Sequence, residues 1–231
     1  MFYPFKVLII FNLSLPKSWL FPYNELASNK FGGIFIYTIR KAEPEDAGQI
    51  VPLMSLIYDE MELEEFESVP DEDPQRMIYN AYRDRALLGY VATTFVAEAG
   101  GQVVGVAFGY PDNNENAVNR VYQEAAAPIP SIRDVDFFAD PESFANEFYL
   151  DSLAVDADYR GMGIATALID AIIKHAASLE YETIGLNVDV ANPKAERLYR
   201  RLGFDDAGQI MIGDHWYCHL QRSTSQALLT E

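Results

Sequence analysis

Arg160-Gly161-Met162-Gly163-Ile164-Ala165 stands between a segment that reads as a strand and one that reads as a helix. The strand is Glu147-Phe148-Tyr149-Leu150-Asp151-Ser152-Leu153-Ala154-Val155. The helix runs from Gly163 to Leu179, with Ile164, Leu168, Ile172, Ala176 and Leu179 on one face. A glycine-bearing turn that opens a helix is an anion site. Two glycines allow positive φ and a close approach of backbone to ligand, and the first N–H groups of a helix have no carbonyl partner within it. A pyrophosphate fits there without a lysine. Two other phosphate-binding patterns fail on letters. The fingerprint G-x-G-x-x-G needs glycine where Thr166 stands, and it belongs in the first strand–helix unit, whereas this turn comes late. The Gly-Lys-Ser/Thr of a P-loop is absent.

Working outward, Thr183 to Val190 alternates Ile184, Leu186, Val188 and Val190 and reads as a strand. Asn192-Pro193 then starts a helix, with Asn as N-cap and Pro at the first helical position, and Gly203 ends it. A closing strand pair falls at Gln209–Ile212 and His215–Arg222. Upstream, Ile34 to Arg40 reads as a first strand. Glu43-Pro44-Glu45-Asp46 opens a helix that carries Ile50, Leu53, Met54 and Ile57 at helical spacing, and Pro74 to Leu88 reads as a second. Thr93–Glu98 and Gln102–Phe108 are strands joined through Ala99-Gly100-Gly101. From Pro111 to Ala145 the pattern dissolves among Asn113, Asn114, Pro128, Pro130 and Pro141, with a short helix near Val118–Ala127. The order is β-α-α-β-β-(insertion)-β-α-β-α-β, a mixed α/β (α+β) domain over residues 34–222. Residues 1–33 are an extension outside it and 223–231 a tail.

The bulk numbers narrow the classes. The 231 residues, 49% hydrophobic and 23% charged, suit one soluble domain. No apolar run approaches the ~20 residues that span a bilayer, so no membrane partner is expected. The chain carries 17 Lys+Arg against 35 Asp+Glu, a net charge of -18. Phosphate-backbone affinity needs clustered cations, so no nucleic-acid partner is expected, and cationic partners are favoured. The lone cysteine, Cys218, can form no internal disulfide and no zinc spacing; it reads as a small buried apolar side chain in a cytoplasmic protein. His215 and His219 have no third ligand in the pattern, so no metal is expected and both read as ordinary strand residues. Near the start, Val7 to Phe11 is a short apolar run interrupted by Asn12, without a convincing cleavage site, which argues against a signal peptide.

The letters around the glycine turn resemble the GCN5-related N-acetyltransferase (GNAT) family. Arg160-x-x-Gly163-x-Ala165 matches its Arg/Gln-x-x-Gly-x-Gly/Ala signature, embedded in the strand Tyr149–Val155 and Tyr159. A second marker follows in Asn192-Pro193-Lys194-Ala195-Glu196-Arg197-Leu198-Tyr199-Arg200-Arg201-Leu202-Gly203-Phe204. The resemblance covers about Ile34 to Arg222 in element order, and the insertion after Tyr110 is the main departure. It implies the acyl-CoA N-acyltransferase fold: a mixed, mostly antiparallel central sheet flanked by helices. It also implies acetyl-CoA as donor, with direct attack of an acceptor amine on the thioester. Arg160, Gly161, Met162, Gly163, Ile164 and Ala165 would hold the pyrophosphate. Leu153, Ala154 and Val155 would pair with the pantetheine arm like an added strand, and a backbone N–H there would polarise the thioester carbonyl. Asn192 would contact the cofactor or acceptor region.

Under the same resemblance Tyr199 is the favoured general acid, since a phenol near pKa ~10 and a thiol near ~8.5 are close enough for proton donation to a leaving thiolate. The alternative is that Tyr199 packs its helix on the sheet. The amine must lose a proton, and Glu147 and Asp151 are the candidate bases; strand alternation places 147, 149 and 151 on one face. Asp151 is preferred as nearer the thioester end, against the alternative that it bonds a neighbouring loop. For the acceptor, a primary amine of a small molecule or peptide, Asp59 to Asp73 offers nine carboxylates and no basic residue. That run would draw a polyamine, an aminoglycoside or a basic peptide terminus, or it is a solvated loop. Tyr122, Phe137, Phe138 and Phe144 of the insertion suggest a lid over the acceptor or a dimer contact. The resemblance also allows a homodimer. A non-catalytic acetyl-CoA sensor or interaction module of the same fold is the alternative function; a retained Tyr199 favours catalysis, because binding needs only the backbone cradle.

Overall fold

Alternating and β-branched segments become seven strands of one sheet: β1 (Thr38–Lys41), β2 (Thr93–Ala99), β3 (Gln102–Pro111), β4 (Phe148–Val155), β5 (Thr183–Asp189), β6 (Asp205–Ile212) and β7 (His215–Ser223). Their spatial order is β1-β2-β3-β4-β5-β7-β6, and every neighbouring pair is antiparallel except β4–β5. Among the described residues five α-helices accompany them: α1 (Ala47–Glu60), α2 (Glu72–Tyr82), α3 (Glu115–Ala126), α4 (Ile164–Ser178) and α5 (Pro193–Arg201). This computed structural model describes residues 36–60, 69–135, 140–213 and 215–226. The extension 1–33, the acidic run's Glu62, Glu64, Glu65 and Glu67, and the insertion's Phe137 and Phe138 lie outside the described residues. Among the described residues no helix is long and apolar enough to cross a membrane.

Local chemistry explains the regular parts. Gly100 and Gly101 take φ of 60° and 82° between Ala99 and Gln102, which is the two-residue turn whose twist suits a hairpin. At the start of α1, Arg40 donates to both carboxylate oxygens of Asp46 at 2.6 and 2.8 Å. The guanidinium holds the Asp46 carboxyl below the usual carboxylate range. The first strand is shorter at its start than the letters suggest. Thr38 already pairs with Glu98, one residue before the hairpin end at Ala99, so Ile36 and Tyr37 stay out of the ladder, while Ile34 and Phe35 lie outside the described residues. The second helix also stops early, at Tyr82, and a separate turn at Ala86–Tyr90 follows with Gly89 at φ 150°.

The sheet is covered on both sides. On one face Phe108 of β3 meets α2 and α3: its ring lies 5.9 Å from Tyr82 and 6.5 Å from Tyr122. The opposite face meets α4, where Phe148 packs edge-on to His175 at 6.0 Å. Helix α3 is longer than the short helix expected in the insertion, and it belongs to the core. Val118, Tyr122, Ala125 and Ala126 recur at helical spacing and are buried. Tyr122 donates to the Tyr82 hydroxyl at 3.3 Å, so it is neither lid nor dimer contact.

One irregularity shapes everything that follows. The β4–β5 ladder holds only Phe148↔Ile184 and Tyr149↔Gly185. Beyond it β5 continues against β7 to Asp189↔Tyr217, while β4 continues against β3 to Val155↔Gly105. The two parallel strands therefore diverge after Tyr149, and the β5-facing edge of Leu150–Val155 has no strand partner among the described residues. A bulge accompanies the divergence. Phe108 pairs with Ser152 and Gly109 with Leu150, so Asp151 is the extra residue, and such a residue bends its strand.

Candidate active site

The glycine turn sits at the open end of the gap between β4 and β5. Gly161 has φ 74° and Gly163, the N-cap of α4, has φ 80°, both in the left-handed region that glycine occupies without strain. No side chain caps α4, and the first intrahelical bond is Ala167 N–H to Gly163 O at 3.0 Å. The amides of Ile164, Ala165 and Thr166 therefore have no carbonyl within the helix. A Cβ on Gly161 would meet nothing within 4 Å, so the turn is open at that point. Two contacts shape it from upstream: the Asp156 carboxylate accepts the Asp158 N–H at 2.9 Å, and Arg160 Nε donates to Val155 O at 3.1 Å. The second ties the turn to the end of β4. Met162 stands half-exposed beside it.

Leu153, Ala154 and Val155 pair with Ala107, Val106 and Gly105 on one side and face the gap on the other. An extended ligand with alternating donors and acceptors would complete that edge as a strand does. Tyr199 of α5 is fully buried, edge-on to Phe204 at 5.7 Å, and its hydroxyl has no hydrogen-bond partner among the described residues. Burial pushes its phenol upward, which keeps the proton on the oxygen. A buried hydroxyl without a partner costs about 1–3 kcal/mol, so this oxygen is the group in α5 that a ligand would satisfy. Asn192 does what its place at a helix start dictates: Oδ1 accepts the Ala195 N–H at 3.1 Å.

The two candidate bases part company. Asp151, at the bulge, is buried; it accepts from Tyr110 Oη at 3.1 Å and from Ser152 Oγ at 2.6 Å. Burial raises its pKa to about 6, against the lowering effect of those two hydrogen bonds, and Glu115 adds to the rise. Such a carboxyl is ionised at neutral pH and still basic enough to take a proton. Glu147 is fully buried and fully engaged. Oε1 accepts the Phe144 N–H at 2.7 Å, while Oε2 accepts from Gln221 Nε2 at 2.8 Å and meets His219 Nε2 at 3.0 Å. Glu147, the second candidate base, is thus held at both oxygens within the fold.

Several partners of the site were not singled out by the letters. Tyr110 holds Asp151, and Tyr149 donates to Glu142 Oε2 at 2.9 Å, the two rings lying 5.6 Å apart. In a strand pattern both tyrosines read as core. His219 is not an ordinary strand residue: it is fully buried, between Asn187 and Glu147, with Phe144 stacked on it at 3.7 Å. Phe144 is thereby an internal packing residue. His215 is exposed, 3.7 Å from Asp189. Cys218 is half-buried rather than buried, and burial pushes its thiol up, away from nucleophilic character. Of the acidic run, Glu72 and Asp73 occupy the first turn of α2, where carboxylates favour the helix dipole, and Asp73 accepts from Ser131 Oγ at 2.5 Å. Among the described residues no group of three or more His, Cys, Asp or Glu could hold a metal ion.

With that geometry in hand, likeness to known proteins is informative. A family model described as the acetyltransferase (GNAT) family matches residues 54–204. The chain is 30% identical over 125 residues to N-acetyltransferase 8F1 of Mus musculus, covering 54% of this chain and 45% of that protein. It is 25% identical over 187 residues to an N-alpha-acetyltransferase of Sulfurisphaera tokodaii, covering 78% and 86%. The chain spans about half the length of the first of these curated relatives. A crystal structure described as an acetyltransferase superposes with TM-score 0.70 at 35% identity, over 81% of this chain and all of that one. An N-acetyltransferase from Staphylococcus aureus Mu50 gives 0.62 at 28%, over 80% of this chain and 100% of that one.

Proposed function

The chain belongs to the acetyltransferase (GNAT) family, and from that premise we propose that it transfers an acetyl group from acetyl-CoA to a primary amine of a small molecule or peptide. One observation carries the reading: a strand edge without a partner, Leu150–Val155, leads directly into a two-glycine helix start with uncapped amides. An anion joined to an extended amide-bearing arm fits those two features together. When bound, acetyl-CoA supplies an activated thioester. The backbone from Arg160 to Ala165 binds its pyrophosphate, and Leu153, Ala154 and Val155 orient the arm. Asp151 takes the proton that the amine gives up, with Tyr110 and Ser152 fixing its two oxygens. Tyr199 holds the proton for the departing sulfur, and Asn192 keeps the start of α5 in register beside the gap. The net charge of -18 favours an acceptor that arrives as a cation, and burial raises the Tyr110 phenol, with the carboxylates Asp151, Glu142 and Glu115 adding to the rise. Cytoplasmic action and a homodimer accord with the lone cysteine and the family, respectively.

Calorimetric titration with acetyl-CoA, CoA and NADP tests the binding half. The expected result is micromolar acetyl-CoA and CoA binding and no NADP binding; no acetyl-CoA binding would overturn the reading. Amine acceptors are then screened by release of free thiol, and binding without turnover on any amine would favour a sensor instead. Tyr199→Phe is expected to lower kcat about 100-fold, within the range of general-acid effects, with the acetyl-CoA Kd unchanged. An unaltered kcat would leave Tyr199 as packing alone.

A further inference from the structure

We infer that His219, acting through Asn187, sets the angle at which β4 and β5 part and is a positioning residue for acetyl transfer. The activity part of this inference rests on the acetyltransferase reading; the structural part does not. Register places Tyr149, Gly185 and Gln221 side by side, and Asn187 beside His219 one step further along. Side chains two apart share a face, so Glu147, Tyr149, Asn187, His219 and Gln221 lie together. Asn187 is the first β5 residue on that face beyond the last β4–β5 pair. Past that pair the backbones no longer hold the strands together, and a side chain does: Asn187 Nδ2 donates to Tyr149 Oη at 3.0 Å and to Glu142 O at 3.0 Å.

The orientation of every group in the chain follows from one carbonyl. Glu142 O can only accept, so the NH2 of Asn187 faces it and Oδ1 faces His219. At 2.6 Å from His219 Nδ1, that Oδ1 requires a proton on Nδ1. The other ring nitrogen meets Glu147 Oε2 at 3.0 Å. One imidazole thus joins β7 to β5 on one side and, on the other, to the residue that precedes β4. The link to Glu147 passes over β5 at Gly185, where a Cβ would stand 1.8 Å from Glu147 Oε2. Glu147, just ahead of β4, and Tyr149, within it, are two anchor points two residues apart. Two pins fix an angle where one would allow rotation, and buried hydrogen bonds are directional in a way that apolar contacts are not. Asp151 and the edge Leu153–Val155 follow within a few residues, so their placement against the far side of the gap depends on that angle.

Two near-isosteric substitutions separate the pins. In His219→Asn the amide nitrogen falls near ring Nδ1 and keeps the donor to Asn187 while losing Glu147. In His219→Gln it falls near Nε2 and keeps Glu147 while losing Asn187. Both lose the ring stacked on Phe144, so both should lose comparable stability in a thermal melt. The expected difference is kinetic: His219→Gln lowers kcat about tenfold, as a small misplacement of reacting groups does, and raises the acetyl-CoA KM. His219→Asn stays within about twofold of wild type by the same criterion. Hydrogen–deuterium exchange at the Leu150–Val155 amides should accelerate in His219→Gln and not in His219→Asn. Equal behaviour of the two variants, or changes that merely follow Tm, would overturn the inference. Where wild type itself fails to bind acetyl-CoA, the acetyltransferase reading falls and the exchange comparison still decides this one. Should His219 variants fail to fold, Asn187→Asp keeps the acceptor for His219 but removes the donors across the gap; unchanged exchange in it would equally overturn the proposal.

Discussion

Gly163→Val is expected to weaken acetyl-CoA binding about 100-fold while leaving a folded protein. The reason lies in the N-cap of α4. Gly163 has φ 80°, and an L-residue pays roughly 1–2 kcal/mol there, with a β-branched one a steric outlier. The chain escapes by rotating the cap toward negative φ. That rotation turns the amides of Ile164, Ala165 and Thr166, on whose shared direction the proposed pyrophosphate site depends. A Cβ at 163 would also stand 3.6 Å from the Tyr37 hydroxyl, ordinary contact for one carbon but crowded for a branched side chain. Gly163→Asn is the informative control, because Asn tolerates the left-handed region. It should retain affinity within about tenfold if backbone conformation rather than bulk is what matters. Calorimetry gives the affinities, and thermal melts establish that both variants are folded. A valine variant that binds like wild type would remove the pyrophosphate from this turn.

What could be read from the letters was what short stretches decide by themselves. The glycine turn, the Gly100-Gly101 hairpin and the Asn192 cap each depend on a few adjacent residues, and each stands where its chemistry places it. What could not be read depends on partners far along the chain. The length of β1 is limited by where β2 turns, some sixty residues later. Helix α3 was obscured by flanking Asn and Pro that signal loop, although its buried face keeps helical spacing. The bulge at Asp151 leaves no mark on strand alternation, and its partner Tyr110 is 41 residues away. His219 and Glu147 are 72 residues apart, so a histidine in the middle of one strand and a carboxylate before another gave no sign of belonging to one network. The features legible early are thus those that local backbone geometry decides, the positive-φ glycines and the helix cap among them. The hydrogen-bond partners of Asp151 and Glu147 emerged only when strands were brought together.

Asp151→Asn should lower kcat/KM about 100-fold, the usual order for loss of a general base, and remove one limb of the pH profile. In wild type the carboxylate must be ionised to accept a proton, so kcat/KM should rise with pH through about 6. The acceptor amine contributes its own, more alkaline limb, and only the limb near 6 should vanish in the variant. Stability should move the other way. The folded pKa lies above the ~3.9 of an unperturbed Asp, so the folded state binds this proton more tightly than the unfolded state does. The resulting stabilisation is complete below that unperturbed value and is lost as pH rises through about 6. Asparagine cannot ionise, and relative to wild type the variant should therefore gain stability between pH ~4 and pH ~8 by on the order of 2–3 kcal/mol. Denaturant melts at the two pH values measure that difference. A variant that loses activity and gains alkaline stability identifies a group retained for proton transfer at the expense of the fold, whereas one that loses both would make Asp151 a structural partner of Tyr110 and Ser152. The burial that makes Asp151 costly to ionise is the same burial that makes it basic enough to serve.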